Sequence, residues 1–502
     1  MRNSHSRRAL AVATAATLAL TALGGVAAAA ADEPESTPVP IVTPDGALFS
    51  YVVNTERAGA AQTALATKAV KRADGVVVQS WPQIGVVVAH SANGSFRQDV
   101  VRADRLGAIE SVGATRTVSP TEGTPGADAP AGAKESRSVV GKGQKDSVGG
   151  TVDGPSRSAA DDPDPGEVTQ WDMEMIKADQ AVEINPGSSR VTVGVLDSGI
   201  DAAHPDLSSQ VDADQSVNST DGGRPDLSAT GWLPTTSDHG THVAGTIAAA
   251  QNGTGIVGVA PGVRLASVKV VNDDGYIYPE YAICGFVWAG LERMDVTNNS
   301  YYVDPFMYWC SDQPDQAAAK EAVRRAVEYS TDRGVVHAAA AGNASTDLAN
   351  NTTDSSSPND STTVQRTINS GCEDIPTEFD GVVSVSSLTQ AGNLSSFSNR
   401  GLGKIDVSAP GSSILSTELD GTWGLKSGTS MASPHVAGVL ALLKSAHPRW
   451  TPAKLEAAVR AQADDHECTT TTAGPACVGT PVENSFYGDG IADALDAVTA
   501  RK

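Results

Sequence analysis

Between about residues 45 and 120 the hydrophobic positions change period at short intervals. "ALFSYVVNTE" (47–56) is a dense β-branched and aromatic run that reads as a strand, and "AGAAQTALATKAVKRA" (58–73) has helical spacing. "GVVVQSWPQIGVVVAHS" (75–91) divides into two strands around a turn. "FRQDVVRADRLGAI" (96–109) reads as a helix and "VGATRTV" (112–118) as a short strand. Strand–helix–strand–strand–helix–strand predicts a small α+β, ferredoxin-like unit over 45–120. From 121 to 166 periodicity disappears among Gly, Ser, Pro, Ala and Asp, which predicts an exposed linker open to proteolysis. From 167 to 502 short apolar strands alternate with helices. The strands are "RVTVGVLD", "VRLASVKVV", "DVTNNS" and "VVHAAAAGN"; the helices are "GTHVAGTIAAA", "YPEYAICGFVWAGLERM" and "DQAAAKEAVRRAVEYSTDRG". That alternation predicts an α/β domain on a doubly wound, mostly parallel sheet.

Composition narrows the partners. The 36 basic and 59 acidic residues give 36 − 59 = −23, which argues against nucleic acid and anionic membrane. The first 31 residues run from the basic "MRNSHSRR" into "ALAVATAATLALTALGGVAAAAA", and an acidic, polar stretch follows. This is the pattern of a secretory signal peptide (1–31), and Arg7–Arg8 leaves the twin-arginine route open beside the general one. The expected product is an exported, extracellular monomer free of the membrane. Five cysteines in an exported chain imply disulfides with one thiol left over. Cys468 and Cys477 close a short loop and are expected to pair, Cys310 and Cys372 in polar turns make a second expected pair, and Cys284 lies in an apolar helical pattern as a buried thiol.

In a doubly wound sheet the ligand site lies beyond the carboxyl ends of the strands. Asp197, Ser300 and Asn343 end three of the predicted strands, and His239 opens a helix. Ser430 precedes the apolar helix "VAGVLALLKSA". A serine there is ordinarily an N-cap. In company with a histidine and an aspartate it suggests a nucleophile: histidine takes the hydroxyl proton and a buried carboxylate holds the histidine. An asparagine amide beside it suits a developing oxyanion. His239 and His242, three apart, lack the glutamate of a zinc helix motif.

Four blocks, "VGVLDSGIDAAHPDL", "DHGTHVAGTIAA", "AAAAGN" and "SGTSMASPHVAG", resemble the Asp, His, Asn and Ser blocks of the subtilisin-like serine proteases (subtilases, S8 family). The resemblance covers about 167–499 and implies a serine endopeptidase acting on proteins or peptides. It implies Asp197, His239 and Ser430 as the triad and Asn343 as oxyanion donor. Residues 45–120 resemble the family's inhibitory propeptide, which implies a self-processing zymogen whose own propeptide is an intramolecular inhibitor.

The stretch "AAAQNGTGIVG" resembles the family's calcium loop, implying structural Ca²⁺ at Asp206 and Asn252 and at the carbonyls of Ala250, Thr254 and Ile256. Glu167 and Gln170 are both near the place of a further ligand, and no organic cofactor is expected. The resemblance places Ser300, Tyr301 and Tyr302 on one wall of the substrate cleft and Ala340, Ala341 and Gly342 on the other. Tyr302 stands where the family has glycine, so small or medium side chains are expected before the cut. The alternatives are a catalytically inactive binding protein of the same fold, and a dinucleotide enzyme, which "DSGIDA" excludes by lacking the third glycine.

Overall fold

The computed structural model describes residues 33–122, 163–468 and 475–499. The expected signal peptide and residues 123–162 of the expected linker lie outside the described residues.

Seven of the strands that form the main sheet are parallel, and one pairs antiparallel at the edge. The N-terminal elements are β1 (Phe49–Thr55), α1 (Ala60–Arg72), β2 (Gly75–Trp81), β3 (Val86–Ser91), α2 (Phe96–Ala103) and β4 (Ile109–Ala114). They make a four-stranded antiparallel sheet in the order β2-β3-β1-β4. The main sheet follows with β5 (Thr192–Asp197), β6 (Val217–Asp221), β7 (Arg224–Asp226), β8 (Arg264–Lys269), β9 (Val296–Asn299), β10 (Val336–Ala340), β11 (Val382–Leu388) and β12 (Val407–Pro410). Its order is β12-β11-β10-β9-β5-β8-β6-β7. Five of these strands, β5 and β9 to β12, are buried at every position, as a parallel sheet covered on both faces requires.

The covering helices are α3 (His239–Ala248), α4 (Pro279–Leu291), α5 (Pro314–Asp332) and α6 (Thr429–Ala446). Helix α6 is sunk in the core; only Ser430 and its last three residues are not fully buried. Small residues let it approach. A Cβ on Gly438 would lie 2.5 Å from Val259 Cβ, so alanine there would push the helix off its neighbour. A hairpin of β13 (Ile414–Glu418) and β14 (Thr422–Lys426) leads into α6. From Glu35 on, the chain forms one compact unit, with the N-terminal sheet against α4 and α5. There Asp315 accepts Ala114 N–H at 2.8 Å and the Arg97 guanidinium at 2.5 and 2.9 Å. Asn54 Nδ2 donates to Ala318 O at 2.8 Å.

Disulfides join Cys310 to Cys372 and Cys468 to Cys477, and Cys284 is a buried free thiol. No helix among the described residues is long and apolar enough to cross a membrane.

Candidate active site

Asp197 is the last residue of β5, and burial leaves its side chain 2% exposed. Its Oδ1 accepts Ser198 N–H at 2.7 Å, and both carboxylate oxygens lie 2.9 Å from His239 Nδ1. His239 opens α3, with its ring only a third exposed. Burial disfavours the imidazolium, but the charge and hydrogen bond of Asp197 outweigh it, so the pKa is raised above the ordinary imidazole value. Asp201 is not a rival: its Oδ1 caps its own turn through Ala203 N–H at 3.0 Å.

Ser430 is the second residue of α6, and Gly428 takes the capping position. The bland N-cap reading therefore falls. No described residue bonds the Ser430 N–H, which stays free at the positive end of the helix. Its Oγ donates to Ser300 O at 3.3 Å, and among the described residues no hydrogen bond joins it to His239. Pro434 brings no N–H to the Ser430 carbonyl four residues back; Ser300 Oγ donates to that carbonyl instead, at 2.9 Å. A side chain on the end of β9 thus mends the first turn of α6.

Thr429 supplies the other brace. Its N–H and Oγ1 meet Asn343 Oδ1 at 2.8 and 2.9 Å, and Oγ1 accepts Gly342 N–H at 3.0 Å. A backbone N–H can only donate, so Oδ1 must face Thr429 and the Nδ2 group must face away. Nothing in the sequence reading singled out Thr429, although it stands inside the quoted Ser block.

A cleft of about 380 Å³ lies beside Ser430. Ser300, Tyr301 and Tyr302 line one side; Ala340, Gly342 and Asn343 line the other. Ala341 does not line it. Its side chain is buried against Tyr308 and the Cys310–Cys372 region, because neighbours along an extended wall face opposite ways. The Tyr302 hydroxyl accepts Asn359 Nδ2 at 3.0 Å, which ties the ring to a loop across the cleft. The sequence reading also missed Asn359, Asp304 and Asp374, which line the same cleft. They lie in loops without periodicity, and only the tertiary fold brings them together.

The remaining histidines serve the frame. His242 is buried, with Nε2 at 3.1 Å from Ile414 O, and burial lowers its pKa to about 4. His204 Nδ1 accepts Asp206 N–H at 3.1 Å. His435 is fully buried and pairs with Asp172 at 3.0 Å, since α6 has almost no exposed face.

The loop after α3 offers a fit for a hard cation. Asn252 lies 3.4 Å from Asp206 Oδ1. The carbonyls of Ala249, Gly255 and Val257 accept bonds from Gly258, Gly166 and Gln170. No described residue donates to those of Ala250, Thr254 and Ile256, although Ala250 and Ile256 are buried. Oxygen donors of these kinds suit Ca²⁺. Gln170 spends both ends of its amide on Val257, and Glu167 Oε1 accepts Asp164 N–H. Asp164, missed in the sequence, accepts Asn252 N–H at 3.2 Å and borders the loop.

A protein with a parallel sheet, an aspartate–histidine pair at its carboxyl rim and a serine at the facing helix start has the frame of a serine peptidase. The family model described as "Subtilase family" matches residues 188–490. Subtilisin of Bacillus pumilus is 35% identical over 321 residues, covering 64% of this chain and 95% of that relative. Subtilisin E of Bacillus subtilis (strain 168) is 35% identical over 317 residues, covering 63% of this chain and 68% of the relative. Among solved structures, fervidolysin of Fervidobacterium pennivorans shares the fold at TM-score 0.62 and 24% identity, covering 93% of this chain and 64% of that one. The epidermin leader peptide processing serine protease of Staphylococcus aureus shares it at TM-score 0.63 and 21%, covering 91% and 99%. This chain belongs to the subtilase family and is a serine endopeptidase. Subtilases commonly bind structural calcium.

Proposed function

We propose that the chain is an exported endopeptidase, made as a self-processing zymogen, that cuts protein or peptide substrates through Asp197, His239 and Ser430. The observation that carries this is the Asp197 carboxylate, buried and 2.9 Å from His239 Nδ1 through both oxygens. That contact orients the ring and stabilises its cation. Rotation of the Ser430 side chain moves its hydroxyl from the Ser300 carbonyl to His239 Nε2. The oxygen attacks the peptide carbonyl as its proton passes to His239. Asn343 Nδ2 and the free Ser430 N–H then receive the oxyanion. His239 returns the proton to the leaving amine, and water, activated in the same way, hydrolyses the acyl-enzyme.

Residues 45–120 act as the inhibitory propeptide, 121–166 hold the processing site, and 1–31 are the signal. Support comes from the course of the chain after β4: Thr117 N–H donates to Asp360 at 2.9 Å, next to Asn359 on the cleft. Calcium, where bound, would be held by Asp206, Asn252 and the carbonyls of Ala250, Thr254 and Ile256, and would fix the loop rather than take part in chemistry. Ser430→Ala decides the reading. The variant is expected to lose fluorophosphonate labelling, to cut peptides roughly a millionfold more slowly and to remain an uncut proenzyme. Normal maturation of purified Ser430→Ala would refute self-processing.

A further inference from the structure

At the floor of the cleft, two residues after Cys372, lies Asp374. The residue is 3% exposed, yet it lines the cleft with Ser430 and Asn343. Neither carboxylate oxygen accepts a hydrogen bond from a described residue, and Oδ1 is wholly buried. No described lysine or arginine pairs with it; the charge beside it is Glu378, whose own cation is Lys404 at 2.7 Å. The other buried carboxylate of the cleft is different. Asp304 accepts Ile277 N–H and Asn359 Nδ2, each at 2.6 Å, so both its oxygens are engaged. Gly342 borders Asp374. Its φ is +97°, and a Cβ there would stand 3.6 Å from Asp374 Oδ2.

We propose that Asp374 determines specificity by pairing with the cationic end of a lysine or arginine side chain immediately before the scissile bond. The proposal rests on reading Ser430 as the nucleophile and this cleft as its substrate site. A buried carboxylate without a partner is costly, and an entering cation removes that cost. The planar guanidinium fork matches a carboxylate through two bonds at once. Tyr302 and Met307 line the cleft and give the methylene stem an apolar path. Burial and the charge of Glu378 hold the Asp374 carboxyl well above the usual carboxylate range, so the empty pocket tolerates it as an acid until a cation arrives. On this proposal the charge of Asp374 adds to whatever volume limit Tyr302 sets on the side chain before the cut.

The test uses the full-length chain after maturation, its active sites counted by fluorophosphonate, a probe indifferent to this subsite. Matched peptides differ only in the residue before the cut: arginine, lysine, leucine, and citrulline as the uncharged isostere of arginine. Arginine and lysine are expected to exceed citrulline and leucine about a hundredfold in kcat/KM, the scale of one buried charge pair. Asp374→Asn is expected to erase that advantage, so that arginine and citrulline are cut at equal rates. The wild type supplies a second arm that needs no variant: benzamidine should slow labelling of Ser430, and uncharged benzamide should not. Equal cleavage after arginine and citrulline, an arginine preference surviving in Asp374→Asn, or equal effects of the two amides would overturn the proposal. Labelling without a basic preference overturns the subsite alone; failure to label overturns the nucleophile reading and the subsite with it.

Discussion

Asn343 shows how one side chain acquires a direction. It is exposed and would pass for a turn residue, but Thr429 holds its oxygen and thereby aims its amide nitrogen. Asn343→Leu is expected to lower kcat about 100- to 1000-fold with KM nearly unchanged, because the oxyanion exists only near the transition state. A steady-state comparison of the two enzymes checks this, and a near-normal kcat would reduce Asn343 to a turn residue. His239 gives the second outcome at this scale. Its neutral form is the base, and Asp197 raises its pKa above the ordinary 6.5. The acid limb of the kcat/KM profile is therefore expected to have its midpoint above 6.5, and Asp197→Asn should lower that midpoint as well as the rate. The sign for stability is opposite: the pair stabilises the fold most below the unfolded pKa, and the contribution is lost as pH rises through the folded one.

At the scale of elements, the sequence was most readable where burial is complete. Asp197, His239, Asn343 and Ser430 lie at or just beyond the ends of elements whose apolar runs mark them plainly, and these residues could be placed before any coordinates. Strands β11 and β12 escaped notice. Their "VVSVSSL" and "VSAP" carry small hydroxyls into the core, where Ser386 bonds Phe486 O and Ser387 bonds Ser395, and such serines look like loop residues in a sequence. The cleft floor was unreadable for another reason. Asp374 follows a disulfide in a segment without periodicity, and only the packing of that loop against Gly342 gives it meaning. The loop 250–256 was legible through resemblance alone, and the carbonyls of Ala250, Thr254 and Ile256 in it accept no bond from a described residue. Excess calcium is accordingly expected to raise the melting temperature over that in chelator, by mass action on the folded state. Asp206→Ala should remove most of the difference; coincident wild-type curves would count against the loop as a cation site.

At the scale of the whole molecule, the N-terminal sheet and the main domain share one hydrophobic cluster, in which Tyr51 and Val53 pack with residues of α4 and α5. Polar contacts fix the register of that docking. Arg325 Nη1 donates to Thr55 O at 2.8 Å, and Asp315 holds both Arg97 and the backbone of β4. The docked unit delivers residues 115–122 toward the cleft rim, where the guanidinium of Arg116 lies 4.0 Å from the centre of the Tyr278 ring. Sequence periodicity could propose two units, 45–120 and 167–502, but could not show how much surface they would share.

Arg116 is 1% exposed and forms an ion pair with Glu280, which is completely buried. Separating the N-terminal unit would break that pair together with the shared hydrophobic cluster and the bonds made by Asp315 and Arg325. On the zymogen reading, cutting the linker does not therefore free the enzyme. The severed piece stays in place until it dissociates or is itself digested, and the interval between the two events is set by the strength of one interface. The protein then carries its own clock, which starts at the first cut and is wound by that interface, Arg116 included.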